Sequence, residues 1–416
     1  MRENRPTFTL YANSGGCPQN QLDGGQIFNY LEASGYEFSD NARDADLIIV
    51  NSCAYRHEKE DQAINEYYEL RRNAKPGTKI IFTGCLPRIA PGRLNEIGAD
   101  TAIIPGIDLE SIMQVVPPVT STWRECAPNQ IPRPILRYVK PFREFLSSTL
   151  AAGRGVLPYS AARHLDRLLM YDHSARTFVI RVAGGCLGQC TYCAIRFSRG
   201  KLVSRPVDEV LAEVRKAVSL HVPEILLCAT DLAAYGRDIG VDLGFLLREV
   251  LSSAPTQYLL LFYANPRWLI DRWDGLEDVF ASGRIHFIHL SMNGGSDRVL
   301  KRMRRGFTSA EFERLVKAIK RVSPGTVLQT QIITGFPGET DQDVDETLDF
   351  LRRNYMHNVQ VHAFDPRPGT EAASMPDQVV PEIRRQRRRR VYRLTLAAKL
   401  GYDVRYVIRG FRIPAS

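Results

Sequence analysis

The chain has 416 residues, 44% of them hydrophobic, so it is too long for one ordinary domain and apolar enough for two or three cores. Its longest apolar runs fall well short of the roughly 20 residues of a membrane-spanning helix, and no charged-then-apolar leader opens it. We therefore expect a cytoplasmic protein without membrane contact. The net charge of +9 favours an anionic partner such as nucleic acid, or serves solubility alone. Eight cysteines in a cytosolic chain of this length favour metal binding over disulfides.

Short apolar runs alternate with helical patterns over residues 1–106, which predicts an α/β domain with a doubly wound parallel sheet. The predicted elements are strand 7–13, helix 20–36, strand 46–51, helix 58–72, strand 79–84, helix 92–98 and strand 101–104. Cys17, Cys53 and Cys85 each follow one of these strands. Because the carboxyl ends of parallel strands meet at one edge, we expect the three thiols to share a ligand there, although each alone is typical of a small buried hydrophobe.

Residues 107–175 are rich in proline and basic residues, so we interpret them as a linker with one or two helices, in which Cys126 is incidental. A second alternation over 176–380 predicts a partial (β/α)6 barrel, and 381–416 an arginine-rich helix and tail. The predicted strands are 177–183, 224–230, 257–263, 285–291, 327–333 and 359–364, and the predicted helices are 207–220, 243–253, 309–322, 341–354 and 381–400.

Cys186, Cys190 and Cys193 form a C-x3-C-x2-C motif in "GGCLGQCTYC", directly after the first predicted barrel strand. Structural zinc sites normally have four ligands in paired motifs, and no fourth Cys or His lies near in sequence, so zinc is the weaker alternative. Three thiolates on a four-iron cluster leave one iron open. The motif in this position resembles the radical S-adenosylmethionine (SAM) superfamily. That resemblance implies that these catalytic cysteines hold a 4Fe-4S cluster that cleaves SAM to a 5′-deoxyadenosyl radical, with a low-potential flavodoxin- or ferredoxin-type electron donor.

Both halves of the chain resemble one family within that superfamily, the methylthiotransferases. "GGCPQNQLD", "VNSCAY" and "TGCLPR" are similar to its N-terminal domain. Blocks of its barrel are similar to "ATDLAAYGRDIG", "SMNGGSDRVLKRMRRGFTS", "IITGFPGET" and "AFDPRPGTEAASMPDQV". The resemblance covers roughly residues 7–106 and 177–395 and implies that Cys17, Cys53 and Cys85 hold an auxiliary 4Fe-4S cluster. In the family, sulfur reaches an unactivated C–H position by way of that cluster, and a second SAM supplies a methyl group.

Four polar or aromatic residues are candidate cofactor contacts. Asp231 and Asn293 end predicted strands, where a polar group meets a cofactor or caps a loop. Tyr192 precedes the last cysteine of the motif, where it leans on the adenine or simply packs. Gln331 lies inside an apolar strand, so we expect it to be buried with a polar partner.

The "GFPGET" segment has both a functional and a structural interpretation. The family resemblance implies that Gly335 and Gly338 let the backbone approach the adenosyl group of the cofactor. A turn followed by a helix cap at Thr340, with Asp343 three residues on, explains much of the same pattern. Cys228, by contrast, is typical of a core residue.

The chain departs from the family pattern in ways that concern its substrate. It has "NGGS" where the family has Q-S-G-S, and "QTQIITGFPGE" lacks the usual acidic residue, so we expect the pocket to differ in detail. After Arg393 only 23 residues remain (416 − 393), too few for TRAM, the small RNA-binding barrel of the family. The six arginines within 384–390 are candidates for phosphate contacts. Alternatively, they lie on a solvated helix that closes the barrel, and we slightly favour this second interpretation.

The leading hypothesis is a methylthiotransferase-like enzyme that inserts sulfur at an unactivated C–H bond of a peptide, protein or specialised metabolite. A first alternative is a tRNA methylthiotransferase that lacks TRAM, in which RNA is the partner. A second is a radical SAM enzyme whose auxiliary cluster transfers electrons or anchors the substrate. A third is a noncatalytic iron–sulfur protein.

Overall fold

The computed structural model describes residues 5–12, 17–95, 97–126 and 177–408, and no helix within them is long and apolar enough to cross a membrane. The strands are β1 (Thr7–Ala12), β2 (Glu37–Phe38), β3 (Leu47–Ser52), β4 (Lys79–Gly84), β5 (Thr101–Pro105), β6 (Thr177–Arg181), β7 (Ala183–Gly184), β8 (Val203–Ser204), β9 (Glu224–Cys228), β10 (Tyr258–Ala264), β11 (Ile285–Asn293), β12 (Val327–Thr334) and β13 (Asn358–Ala363). The α-helices are α1 (Pro18–Ala33), α2 (His57–Asn73), α3 (Leu86–Ile89), α4 (Ile112–Val115), α5 (Ile195–Arg199), α6 (Val207–Ser219), α7 (Leu243–Ser253), α8 (Pro266–Ile270), α9 (Glu277–Ala281), α10 (Asp297–Arg302), α11 (Ser309–Val322), α12 (Asp341–Arg353), α13 (Glu371–Ser374) and α14 (Pro381–Ile408).

The N-terminal sheet is parallel throughout, with the strand order β2–β1–β3–β4–β5. Side chains of β3 alternate between its faces: Leu47 and Ile49 pack in the hydrophobic cluster that includes α1, and Ile48 and Val50 pack in the cluster that includes α2. Helices therefore cover both faces, which is why β3 is a continuous apolar run. The predicted doubly wound domain is confirmed.

The predicted helix over 92–98 is wrong in its position and type. The chain forms α3 earlier, then a short 3₁₀ turn over Pro91–Leu94. Ala90 between them is not helical, with φ of −141° and ψ of 64°. The residue before a proline avoids the helical conformation, so Pro91 ends α3 and prevents one continuous helix.

The first part of the predicted linker packs against the N-terminal domain. Val116, Trp123 and Cys126 are buried in the same hydrophobic cluster as α1. The hydroxyl of Tyr30 on α1 donates a hydrogen bond to the Val116 carbonyl at 2.6 Å. Residues 107–126 therefore complete a core instead of forming a linker, because their apolar side chains cover α1. The helices expected further along the linker lie outside the described residues.

The second sheet has six parallel strands in the sequential order β6–β9–β10–β11–β12–β13. Its two edge strands, β6 and β13, do not pair with each other, so the barrel is partial and open, as predicted. Inward side chains such as Leu260 and Phe287 form an inner cluster, and Leu22 of α1 packs into it. The outward side chains pack beneath the surrounding helices in a separate cluster. The N-terminal domain therefore fills part of the barrel interior.

A hairpin of two short strands and a short helix follow β6, and the sequence pattern predicted neither. β7 and β8 pair as an antiparallel hairpin around the C-x3-C-x2-C loop. The loop is followed by α5, whose Ile195 and Phe197 pack against the core cluster of the N-terminal domain, with Ala194 buried in it. The cysteine motif of the barrel is thereby fixed to both domains.

The arginine run of α14 is largely engaged by the barrel. Arg387 donates to the Glu339 carbonyl at 2.7 Å and pairs with Asp341 at 2.9 Å. Arg384 lies over the Phe364 ring at 5.3 Å and donates to the Phe364 carbonyl at 3.2 Å. Arg388 donates to a β13 carbonyl at 3.1 Å. These contacts support the structural interpretation of the run, a helix that closes the open edge of the barrel.

A buried ion pair also joins the two domains. Arg367, which follows β13, pairs with Glu60 of α2, and the two side chains are only 3% and 1% exposed. Beside them, the backbone N–H of His57 donates to the Asp365 carboxylate at 2.7 Å. Removing one partner of such a pair leaves an uncompensated charge in a low-dielectric environment.

Glu60→Ala is expected to destabilise the protein by about 3 kcal/mol, because Arg367 then stays buried without its carboxylate. Asp61→Ala on the same helix is the matched control. It breaks the Arg93–Asp61 pair, in which Asp61 is 56% exposed, and should cost less than about 1 kcal/mol. Denaturant unfolding of the two variants measures the difference, and equal losses would contradict the assignment.

Candidate metal centres

Three cysteines from separate strand ends come together at the carboxyl edge of the N-terminal sheet. This first cysteine trio consists of Cys17, which caps α1, Cys53 after β3 and Cys85 after β4. Burial, and then Cys85 and Cys17, raise the pKa of the Cys53 thiol to about 12. Burial and Cys85 also raise the pKa of Cys17. The three residues follow strands at the edge of the sheet where the strand order reverses, and such sheets bind ligands there.

Positive side chains surround the first cysteine trio. Arg199 of α5 donates to the Cys85 sulfur at 3.8 Å, and its charge opposes the rise of the Cys17 pKa. Lys59 acts on Cys53 in the same direction. Metal binding requires thiolates, and nearby cations offset the burial that opposes their ionisation. The environment therefore suits a metal-bound state of these cysteines.

The second cysteine trio consists of Cys186, Cys190 and Cys193, in the loop between β7 and α5. The Gly188 N–H donates to the Cys186 sulfur at 3.1 Å, and the buried Arg305 donates to the Cys190 sulfur at 2.9 Å. Burial raises the pKa of Cys186 to about 12. A Cβ atom at Gly188 would lie 3.2 Å from the Cys186 sulfur and 3.8 Å from the Cys190 sulfur. Glycine therefore lets the loop close around its thiols.

The thiols of each trio are the kind of donor that a four-iron cluster uses. All eight cysteines are free thiols. Within the described residues, no group of three or more His, Cys, Asp or Glu side chains is arranged around one metal ion. Zinc needs four ligands around one point, whereas the thiolates of a 4Fe-4S cluster bind different irons. The donor set of each trio would hold three irons and leave one without a protein ligand.

The structure places Asp231 behind the second cysteine trio. Its carboxylate accepts hydrogen bonds from the Trp268 indole at 2.9 Å and from the Asn265 backbone at 3.2 Å, and lies 3.9 Å from the Cys186 sulfur. The side chain is buried, which raises its pKa. Asp231 therefore ties the α8 segment to the cysteine loop, and its expected contact with a cofactor stays a prediction.

Tyr192 and Asn293 lie together at the mouth of the barrel. The Asn293 amide donates to the Tyr192 hydroxyl, while its carbonyl oxygen is buried with no hydrogen-bond partner in the described residues. Asn293 also has a φ of +78°, which is strained for a residue with a side chain. A buried acceptor without a donor fits a bound group that supplies one.

Gln331 differs from its expectation. It is half-buried, not buried, and its amide makes no hydrogen bond with the part of the chain that the structure describes. The neighbouring inward position, Gln329, is buried and accepts from the Asn358 amide at 2.9 Å. The strand pattern predicted the direction of these side chains but not their depth, and Gln331 reaches the open end of the barrel.

The glycines of "GFPGET" have structural neighbours. Gly335 and Gly338 both have φ of +74°, which favours glycine. A Cβ at Gly335 would lie 2.4 Å from Arg384 of α14, and one at Gly338 would lie 3.0 Å from Arg302. Thr340 and Asp343 form the expected capping box of α12. The packing of α14 thus accounts for Gly335, and the approach to an adenosyl group stays a prediction.

Two polar rings of the barrel, His289 and Tyr263, were not among the predicted site residues. His289 of β11 is 1% exposed, and neither ring nitrogen has a hydrogen-bond partner in the described residues. Its ring lies 4.8 Å from that of Tyr263, whose φ is +64° and whose pKa is raised by burial and by the charges of Cys17 and Cys53. The histidine in the apolar run "IHFIHLS" could have been noticed. The Tyr263 strain depends on tertiary contacts that no local pattern encodes.

His289 predicts an acid sensitivity of the cluster-free protein. Burial lowers its pKa from 6.5 to about 3, so the unfolded chain binds a proton there that the folded chain does not. Stability is therefore lost as the pH falls through this interval, by about 2 kcal/mol at about pH 5. We expect His289→Leu to lose less stability than the unchanged protein between about pH 7 and about pH 5 in denaturant unfolding. Parallel losses would contradict the burial of a neutral imidazole.

Comparison with known proteins identifies two family models in the chain. Residues 180–351 match the radical SAM superfamily, and residues 9–106 match an uncharacterized protein family, UPF0004. A threonylcarbamoyladenosine tRNA methylthiotransferase of Danio rerio is 32% identical over 91% of this chain and 64% of its own length. A probable enzyme of the same name from Pyrococcus horikoshii is 30% identical over 96% of this chain and 86% of its own. The chain spans 61–64% of the length of the vertebrate relatives from Danio rerio, Homo sapiens and Mus musculus.

Other relatives extend the comparison. The ribosomal protein uS12 methylthiotransferase RimO of Geotalea uraniireducens is 31% identical over 91% of this chain and 79% of its own length. The radical SAM methyltransferase TsrM from Kitasatospora setae has a TM-score of 0.58 at 15% identity, and covers 89% of this chain and 77% of its own. This likeness concerns the fold alone. From the relatives that it matches along most of both lengths, the chain belongs to the radical SAM methylthiotransferase family.

Proposed function

We propose that the chain is a methylthiotransferase that replaces hydrogen on an unactivated carbon by a methylthio group. The observation that carries the proposal is the presence of two cysteine trios, one at the carboxyl edge of each parallel sheet. An enzyme that only cleaved SAM would need the second trio alone. Burial, and then the charges of Cys17 and Cys53, raise the pKa of Tyr263, which lies near the carboxyl end of β10.

In this proposal each trio binds a 4Fe-4S cluster, and SAM binds at the second trio. When bound, these groups supply the electron that cleaves SAM, the radical that abstracts hydrogen, and the sulfur. The side chains of the protein hold these groups in place. Arg305 donates to the Cys190 sulfur, and Asn293 offers an unpaired carbonyl oxygen at the mouth of the barrel. A low-potential flavodoxin- or ferredoxin-type protein is the proposed electron donor.

We favour a peptide, protein or specialised metabolite as the substrate. Arg384, Arg387, Arg388 and Arg390 of the basic run make contacts within the barrel domain, so part of the run is engaged inside the protein. The interior groups His289 and His362 have pKa values that burial lowers to about 3 and about 4, so both rings are neutral. Neutral rings in the interior offer no positive charge to a backbone of phosphates.

A tRNA substrate is the second candidate. It is supported by the similarity to the tRNA methylthiotransferases of Danio rerio and Pyrococcus horikoshii. The net charge of +9 agrees with it as well. The two candidates share the chemistry of the cysteine trios and differ only in how the substrate is held.

The cysteine trios are expected to separate two steps. Replacing Cys17, Cys53 and Cys85 by Ala should lower the iron content from about eight to about four per chain, because one of two clusters is lost. This variant should still form 5′-deoxyadenosine under anaerobic reduction, but no sulfur-containing product. Replacing Cys186, Cys190 and Cys193 should abolish 5′-deoxyadenosine. An iron assay measures the iron content, chromatography measures 5′-deoxyadenosine, and mass spectrometry detects sulfur in the product. Sulfur in the product of the first variant would contradict the proposal.

The substrate class is tested by RNA binding. Under the favoured proposal, bulk tRNA should bind weakly at moderate salt in a gel-shift assay, and Arg389→Gln at an exposed position of the run should change nothing. Under the second candidate, a complex should form and weaken steeply as salt rises, because phosphate contacts release counterions. A tight and salt-sensitive complex would replace the favoured substrate with RNA.

A further inference from the structure

Arg199 belongs to the barrel domain but contacts the cysteines of the N-terminal domain. It is the last residue of α5, the short helix after the C-x3-C-x2-C loop. One of its terminal nitrogens donates to the Cys85 sulfur at 3.8 Å, and the other pairs with Asp23 at 2.6 Å. The side chain is 7% exposed and that of Asp23 is 0% exposed. Two fully enclosed partners therefore fix the guanidinium against the first cysteine trio.

The charges around Asp23 leave a net positive group beside the first cysteine trio. Asp23 also pairs with Arg181 of β6 at 2.6 Å, so two guanidinium groups share one carboxylate. Arg199 affects the pKa of Cys17 more strongly than Asp23 does, in the opposite direction. Arg199 is also the member of this charge group that donates to a thiol of the trio, Cys85, at 3.8 Å. At a buried site, its field is only weakly screened.

We propose that Arg199 is a positioning residue that sets the reduction potential of the auxiliary cluster held by the first cysteine trio. The inference rests on the proposed function, which supplies that cluster. Reduction adds one negative charge to a cluster, so an N–H···S bond and a nearby positive charge stabilise its reduced form and raise its potential. Asp23 limits the effect, because its carboxylate cancels part of the guanidinium charge.

The same contact makes the potential depend on how the domains dock. Cys85 and Asp23 come from the N-terminal domain and Arg199 from the barrel, so the hydrogen bond exists only in the docked chain. Ile195 and Phe197 of α5 pack against the N-terminal core and hold the helix there. A single short helix therefore places one end of the cysteine loop of the barrel within reach of the other metal centre.

The test uses the full chain with Cys186, Cys190 and Cys193 replaced by Ala, so that iron binds only at the first cysteine trio. Electron paramagnetic resonance during a reductive titration gives the potential of that cluster. Arg199→Gln should move it to more negative values and Asp23→Asn to more positive values, since each removes one of two opposite charges. Arg205→Gln is the matched control, because Arg205 is a similarly paired arginine that contacts no thiol, and it should leave the potential unchanged.

The outcomes separate the inference from the proposed function. If the parent protein binds no iron at the first cysteine trio, the proposed function fails. If iron binds but Arg199→Gln and Asp23→Asn leave the potential unchanged, or move it in the same direction, only the role of Arg199 is overturned. Should Arg199→Gln lose iron, Arg199→Lys keeps the charge while changing the hydrogen bond, and the sign of the Asp23→Asn shift then decides.

Discussion

The arrangement of the two sheets depends on one buried carboxylate, that of Asp23. It lies on α1 of the N-terminal domain, yet its ion-pair partners Arg181 and Arg199 come from the barrel. A carboxylate without solvent or a counter-charge is costly to bury, so α1 can keep this position only when β6 and α5 lie beside it. The charge requirement of Asp23 therefore acts together with the Arg367–Glu60 pair and the packing of α5 to hold the two domains in this arrangement.

The regular elements of the fold could be predicted because their apolar residues recur in the pattern of a helix or a buried strand. Helices over 243–253 and 309–322 begin and end where the apolar pattern does, and the six barrel strands are apolar runs. The helix over 92–98 failed because Pro91 overrides the pattern. The hairpin of β7 and β8 was missed because two-residue strands have no period to detect. Local periodicity thus predicts elements and not the irregular connections between them.

The candidate site was predictable only where chemistry repeats along the chain. The close spacing of Cys186, Cys190 and Cys193 identified the second trio. The first trio was identified because each of its cysteines follows a strand of the same sheet, and such a coincidence is unusual in a large chain. The arginines that donate to them could not be found this way, because Arg199 and Arg305 lie 114 and 115 residues from the sulfurs that they contact. For the arginine run of α14, composition alone would have suggested a function where the structure shows contacts within the protein. Its composition resembles a phosphate-binding surface, but carboxylates and carbonyls of the barrel occupy much of it.

The packing of Leu22 into the inner cluster of the barrel has a consequence for both domains. Leu22 lies on the same turn of α1 as Asp23, so one helix supplies the barrel domain with both an apolar side chain and a carboxylate. Each residue inserted before this turn rotates it by about 100° and would remove both at once. An N-terminal half that lacked both side chains would leave a cavity in the inner cluster and two guanidinium groups without their shared carboxylate.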